Sequence, residues 1–359
     1  MLVYLVVILL LFLFRNHVLG FPIGDQRNRI ERNYLIIICS ILILLAALRG
    51  STVGTDTKYY LEDYSDISWY SFSYIIFDKY RDYPGLYLLA KICSVFHFPV
   101  QLFFGIVEFI YVYAIAKFIN RYSEDKLYSM LGFVVIGLYS FSLAGLKQTL
   151  SMAFVLLYYM ALVDKKYVKT VLLALLAYFC HHASLAFLIG VALYFIRNFK
   201  LYYVYLIGIV AVSLFGSIFL WENFLTLLDN EHYIEAYLGD EGYSPTTMIF
   251  YGVCLLSLFL FGRNYINNKK EESRIFLGLS TMAFSFQAFA LVSSVAFRLS
   301  YYFIPFMIVA FPNDFNYIGN NNTKRFVKFM VAFMIIFVFI YGNRNGGSVV
   351  PYRFFWQQL

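Results

Sequence analysis

The sequence predicts an all-α integral membrane protein, and three observations carry that reading. Apolar residues make up 61% of the chain and charged residues only 14%, with a mean hydropathy of +0.69. Soluble domains run near 45–50% apolar and about 25% charged, and a water-soluble fold of this length cannot hide so much apolar surface. The apolar residues fall into runs separated by short polar breaks, as lipid-crossing helices require. Finally, the excess of Lys and Arg, +7 formally, is confined to a subset of those breaks.

Taken in order, the runs near 1–14, 34–49, 100–119, 127–145, 147–163, 168–181, 183–196, 201–220, 247–262, 275–292, 299–312 and 329–341 are expected as spans, about twelve in all within a range of roughly 11–14. Met1–Phe14 has neither a basic leader nor a small-residue cleavage site, so it reads as a first helix. The run 84–97 is brief and carries Lys91, and is expected to be re-entrant or interfacial. No fixed-period repeat and no soluble domain is visible, so residues 1–359 read as a single polytopic membrane domain. The four cysteines (Cys39, Cys93, Cys180, Cys254) all lie inside apolar runs and read as small buried hydrophobes.

Orientation follows from counting. With loops 15–33, 120–126, 164–169, 197–200, 263–274 and 313–328 inside, and Lys117 at a helix end, 19 of the 28 Lys and Arg are cytoplasmic. The other face holds nine basic and twelve acidic residues, 9 − 12 = −3. This basic charge belongs to membrane topology, and no nucleic-acid partner is expected. A rival arrangement lets 84–97 cross fully and joins 168–196 into one helix, which moves the basic loops at Lys126 and Lys165–Lys166 outside and weakens the bias. The two largest outer segments, 50–83 and 221–246, are rich in Tyr, Asp and Glu and are expected to cover the site.

Four polar clusters share that outer side. Arg49 to Tyr60 (RGSTVGTDTKYY) follows the second span: Gly50 and Gly54 allow a sharp turn, while Thr55, Asp56 and Thr57 offer hydroxyls and a carboxylate, or simply cap a helix. Arg81 and Asp82 precede the Pro84-Gly85 break, as part of a site or as an exposed ion pair. Lys147 and Gln148 open a helix. A cation there opposes the helix dipole and sits between apolar runs, so it either snorkels or meets an anion. His181 and His182 lie between two apolar half-helices and suit a general base or hydrogen-bond donor better than a metal, since no carboxylate or thiol has ligand spacing. Arg298, with Tyr301 and Tyr302 after it and Ser293 and Ser294 before it, adds a third outer cation. Arg49, Lys147 and Arg298 together suggest a positive pocket suited to phosphate or pyrophosphate. Tyr59, Tyr60, Tyr64, Trp69, Tyr70, Tyr74, Tyr80 and Tyr83 can stack on sugar rings, although most aromatics must be belt and core residues.

The ordered segments RGSTVGTDTxYY (49–60), DYPGLYLL (82–89), GLKQTLSMA (145–153) and HHASLA (181–186), extended by FRLSYYF (297–303), resemble the EpsG family. That family belongs with the Wzy-type polymerases of bacterial surface polysaccharides (O-antigen, capsule or exopolysaccharide). Two departures are visible: Asp82 is followed by Tyr83-Pro84 where the family often has an acid with Gly, and Lys147-Gln148 stands where Arg-Gln is usual. The resemblance implies a GT-C-like architecture in the bacterial cell (inner) membrane. It implies a glycosyltransferase that needs no nucleotide sugar or other cofactor and elongates undecaprenyl-pyrophosphate-linked glycans, with a chain-length regulator as a candidate partner. Arg49, Lys147 and Arg298 would then hold the pyrophosphate, and His182 or Asp56 would accept the proton of the attacking hydroxyl. An unperturbed imidazole titrates nearer neutrality than a carboxyl, which ranks His182 first. A lipid-linked oligosaccharide flippase, an O-antigen ligase or an O-acetyltransferase would share much of this pattern. A flippase would be expected to show twofold internal symmetry, which is not visible.

Overall fold

The computed structural model describes residues 1–18, 25–196, 201–216, 219, 245–261, 270–290, 297–318, 320–342 and 349–357. Among these, every regular element is helical, and an isolated β-bridge joins Arg49 to Phe354. The outer segment 221–244 and the serines at 293 and 294 lie outside the described residues. Contacts divide the chain into two compact units, Met1–Leu185 with Phe329–Leu359, and Ala186–Lys328.

In the first unit α1 (Leu2–Val18) and α2 (Asp25–Ala47) are followed by a polar segment carrying α3 (Thr57–Asp66) and α4 (Phe72–Phe77). Then come α5 (Pro84–Val95), α6 (Val100–Tyr122), α7 (Lys126–Val135), α8 (Leu138–Ala144), α9 (Leu146–Val163) and α10 (Tyr167–Cys180). The helix α6 packs against α2 on one side and α9 on another, and α9 packs against α10. Its residues Phe103, Phe104, Val107, Tyr111, Ile115 and Phe118 are all buried. By contrast, α10 exposes Val168, Val171, Leu172, Leu175, Leu176 and Phe179, spaced 3, 1, 3, 1 and 3 along the chain. That is one helical face, wholly apolar and turned outward. A surface helix in water would invert the pattern, so this face is built for lipid.

Length limits how many helices can cross unaided. Among the described residues only Arg29–Ala47, Val100–Tyr122 and Leu146–Val163 are long and apolar enough by themselves, or four spans if the pair α7–α8, bent by 44°, counts as one. About twelve were expected. Helices occur at most of the expected places, and several are short. Gly137, in the left-handed region at φ 102, breaks 127–145, and α10 stops at His181 after 14 residues, about 21 Å. At 12 residues, α5 is about 18 Å long, well under the ~30 Å hydrocarbon core.

Ion pairs gather the basic loops at one end of this unit. Arg15 faces Asp125 at 3.6 Å, Lys126 pairs with Glu31, Arg121 with Asp164 at 2.7 Å, and Lys166 with Asp164 at 3.5 Å. Loops 15–33, 120–126 and 164–166 therefore share an end. A full crossing by 84–97 would have put residues 15 and 31 at the end opposite 125 and 126. Since α2 runs away from this end and α9 runs towards it, Arg49 and Lys147 lie at the other.

In the second unit the helices Tyr202–Phe215, Pro245–Phe261 and Ile304–Phe315 pack around Lys270–Phe289. Phe276, Phe303 and Phe306, with Phe187, form its aromatic centre.

Candidate functional site

The turn after α2 is held on both flanks. Gly50 N donates to Arg353 O at 2.8 Å, and Phe355 N donates to Leu48 O at 2.9 Å. Thr57 Oγ1 lies 2.6 Å from Val53 O and 3.4 Å from Leu143 O. Gly54 has φ +95, and a Cβ on it would stand 2.2 Å from Leu143 O. Only glycine fits there, and the fit presses the 49–57 turn onto the break between α8 and α9. Lys147 leaves from that break in the first turn of α9, and Thr149 Oγ1 donates to Gly145 O at 2.9 Å.

A second close approach lies nearby in sequence. Pro84 starts α5, and a Cβ on Gly85 would stand 2.6 Å from Cys180 Sγ, so the start of α5 abuts the end of α10. The consequence is a cluster around one ring. Tyr83 stacks on His181 at 5.2 Å between centroids and tilts 43° against His182 at 5.0 Å, while Lys147 Nζ lies 4.9 Å from its centroid. Tyr178 stacks on His182 at 4.5 Å. Ala183 N donates to His181 Nδ1 at 3.3 Å, which leaves Nε2 to carry the proton of the neutral ring. The side chains of Tyr83, Lys147, Tyr178, His181 and His182 are all half-buried.

A cation over an aromatic face gains only about 0.5–2 kcal/mol. Charge-assisted bonds to phosphate oxygens are stronger and can replace that contact. The two imidazoles beside it can accept or donate a proton. A cation and two proton carriers thus meet around Tyr83.

The outer segment is braced above this. Asp63 receives hydrogen bonds from Tyr80 at 2.7 Å and Tyr87 at 2.9 Å, whose rings stack at 3.7 Å. Burial, and then the bond to Asp63, push the Tyr80 phenol further up, so it remains a donor. Lys91 donates to Ile67 O at 3.2 Å and Ser68 O at 3.0 Å, which explains a lysine inside an apolar run. Trp69 stands 86% exposed.

A sequence model of the EpsG family matches residues 32–354. The chain belongs to the EpsG family. This is a polysaccharide polymerase-like family, and with the apolar helices it marks a membrane protein of polysaccharide biosynthesis. No curated protein and no solved structure matches the chain.

In this EpsG-family chain, Lys147, His181 and His182 come together. Thr57 and Tyr60 are buried, and Thr55 is exposed. Asp56 precedes α3 without capping it through its side chain. Gln148 is buried beside Lys147. Arg81 and Asp82 are exposed and lie 3.8 Å from one another. Arg49 is 2% exposed, with its guanidinium 4.1 Å above the Phe104 ring. Arg298, Tyr301 and Tyr302 belong to the second unit, where Arg298 is exposed and Tyr302 buried. Among the described residues no three His, Cys, Asp or Glu are grouped to hold a metal.

Sequence reasoning missed Tyr83 as the centre of the cluster, Tyr178 beside it, and Glu108. A stacking partner leaves no mark on spacing. Glu108 did leave one: it is the sole charged residue inside the expected span 100–119 other than Lys117 near its end.

Proposed function

We propose that this EpsG-family chain is a membrane glycosyltransferase that polymerises lipid-pyrophosphate-linked glycan, of the undecaprenyl type, on the outer face of the cytoplasmic membrane. The observation that carries this reading is the meeting of Lys147, His181 and His182 around Tyr83, at the end of the first unit opposite the basic loops. A pyrophosphate leaving group needs a cation, and an attacking sugar hydroxyl needs a proton acceptor. Both are present within one ring's reach.

In this reading the glycosidic bond between the donor's anomeric carbon and the pyrophosphate oxygen breaks. Lys147 stabilises the charge developing on that oxygen. The acceptor hydroxyl forms the new bond to the anomeric carbon and passes its proton to His182. Arg49 lies buried at the same end of the unit, and exposed aromatics such as Trp69 offer faces for sugar rings. The many shorter helices fit a multi-pass protein whose breaks line a cavity for the lipid-linked substrate.

The test is replacement of His182, Lys147, Asp56 and Arg298 singly by Ala in cells making the polymer. His182→Ala and Lys147→Ala are expected to remove long chains at unchanged protein level, and Arg298→Ala tests the cation of the second unit. Wild-type chain lengths in the first two variants would end the assignment.

A further inference from the structure

Glu108 lies eight residues into α6, about 12 Å along the axis from Val100, and is fully buried. Ser142 Oγ lies 3.0 Å from its Oε1 and 2.7 Å from Tyr139 O, so the one hydroxyl proton is shared between Glu108 and the backbone of α8, and among the described residues its Oε2 has no hydrogen-bond partner. Arg49 is its counterpart. One guanidinium nitrogen, Nη1, donates to Ala46 O at 2.7 Å, while Nε and Nη2 have no partner. Among the described residues the two make no direct ion pair, but the Phe104 ring under the Arg49 guanidinium, 4.1 Å away, lies one helical turn before Glu108 on the same buried face of α6, so the two groups are near neighbours.

Burying one charge in a membrane protein is costly, and burying two of opposite sign within mutual range offsets part of that cost. These two sit at informative places. Arg49 begins the turn that Gly54 and Thr57 press onto Leu143, and Ser142 precedes that same Leu143. Glu108 therefore touches the end of α8 onto which the turn is pressed, just before the break from which Lys147 departs.

We infer that Glu108 is a positioning residue, whose charge holds Arg49 in place and whose bond to Ser142 fixes the 142–147 break so that Lys147 meets Tyr83. This rests on the proposed function, because only there does the alignment of Lys147 govern a reaction. Glu108 touches no substrate, so its loss acts on turnover and leaves substrate binding nearly unchanged.

The experiment combines stability and kinetics on the purified full chain. Unfolding temperatures are measured for Arg49→Gln, Glu108→Gln and the double variant. Each single change is expected to lower the midpoint by several degrees, and the double variant by clearly less than the sum, because it leaves no unpaired charge. Glu108→Gln is expected to lower kcat for chain elongation roughly tenfold or more, with donor KM within about twofold, and Glu108→Asp to recover part of kcat. Ser142→Ala keeps both charges and is expected to lower kcat at a near-native midpoint, which serves if Glu108→Gln does not fold. Additive losses of midpoint, or wild-type kcat in Glu108→Gln or Ser142→Ala, would overturn the inference. A wild-type protein that elongates nothing would sink the proposed function alone, since the stability cycle still decides the coupling.

Discussion

Single residues here do their work through close approach. Gly54 is the sharpest case, with φ +95 and no room for a Cβ against Leu143 O. Gly54→Ala is expected to cost about 1–3 kcal/mol of stability, read as a lower unfolding midpoint, and to loosen the break that carries Lys147. Conservative changes separate charge from shape at Lys147. Lys147→Arg retains the cation, so elongation should stay within about an order of magnitude of wild type. Lys147→Met should lose roughly hundredfold or more in kcat, measured on the same donor, as removal of a charge that stabilises the leaving group does. Equal activity in the two variants would remove the cation from the mechanism. The polar residues were legible in the sequence as four clusters. Their meeting around Tyr83 was not, because an aromatic ring among 33 tyrosines carries no signal of which partners it will stack on.

At the scale of elements, the breaks matter more than the spans. The helix α9 is long enough to cross and is almost wholly buried, and α6 is its closest equivalent. Around them, helices stop early at Gly137, Gly145 and His181, and these interruptions bring polar residues to one end. Hydropathy located most of the apolar helices, but a run of apolar residues does not reveal a bend of 44° or a 3-10 turn such as His182–Phe187. The ion pairs Arg15–Asp125, Lys126–Glu31 and Arg121–Asp164 were invisible at that stage for the opposite reason: each is long-range in sequence. They lead to a topological prediction. The cysteines at 39, 93, 180 and 254 are buried, so an impermeant thiol reagent should leave the parent protein largely unlabelled. Ser71→Cys should then label from outside intact cells, and Lys169→Cys only after the membrane is opened. Labelling of both from one side would refute the placement of the basic end in the cytoplasm.

For the molecule as a whole, membership of the EpsG family and the outward-facing apolar stripes agree on a lipid-embedded machine of polysaccharide synthesis. The family was legible from short segments at 49–60, 145–153 and 181–186. The buried pair of Arg49 and Glu108 escaped notice because one acid within 23 helical residues hardly changes mean hydropathy, although its cost in lipid is large. The most direct measurement supplies the purified full-length protein with one defined lipid-pyrophosphate oligosaccharide and no nucleotide sugar, and resolves the products by size. A ladder of multiples of the starting unit, lost in His182→Ala while the protein stays folded, is the expected result. Unextended starting material with the wild-type protein, or an undiminished ladder with His182→Ala, would contradict it.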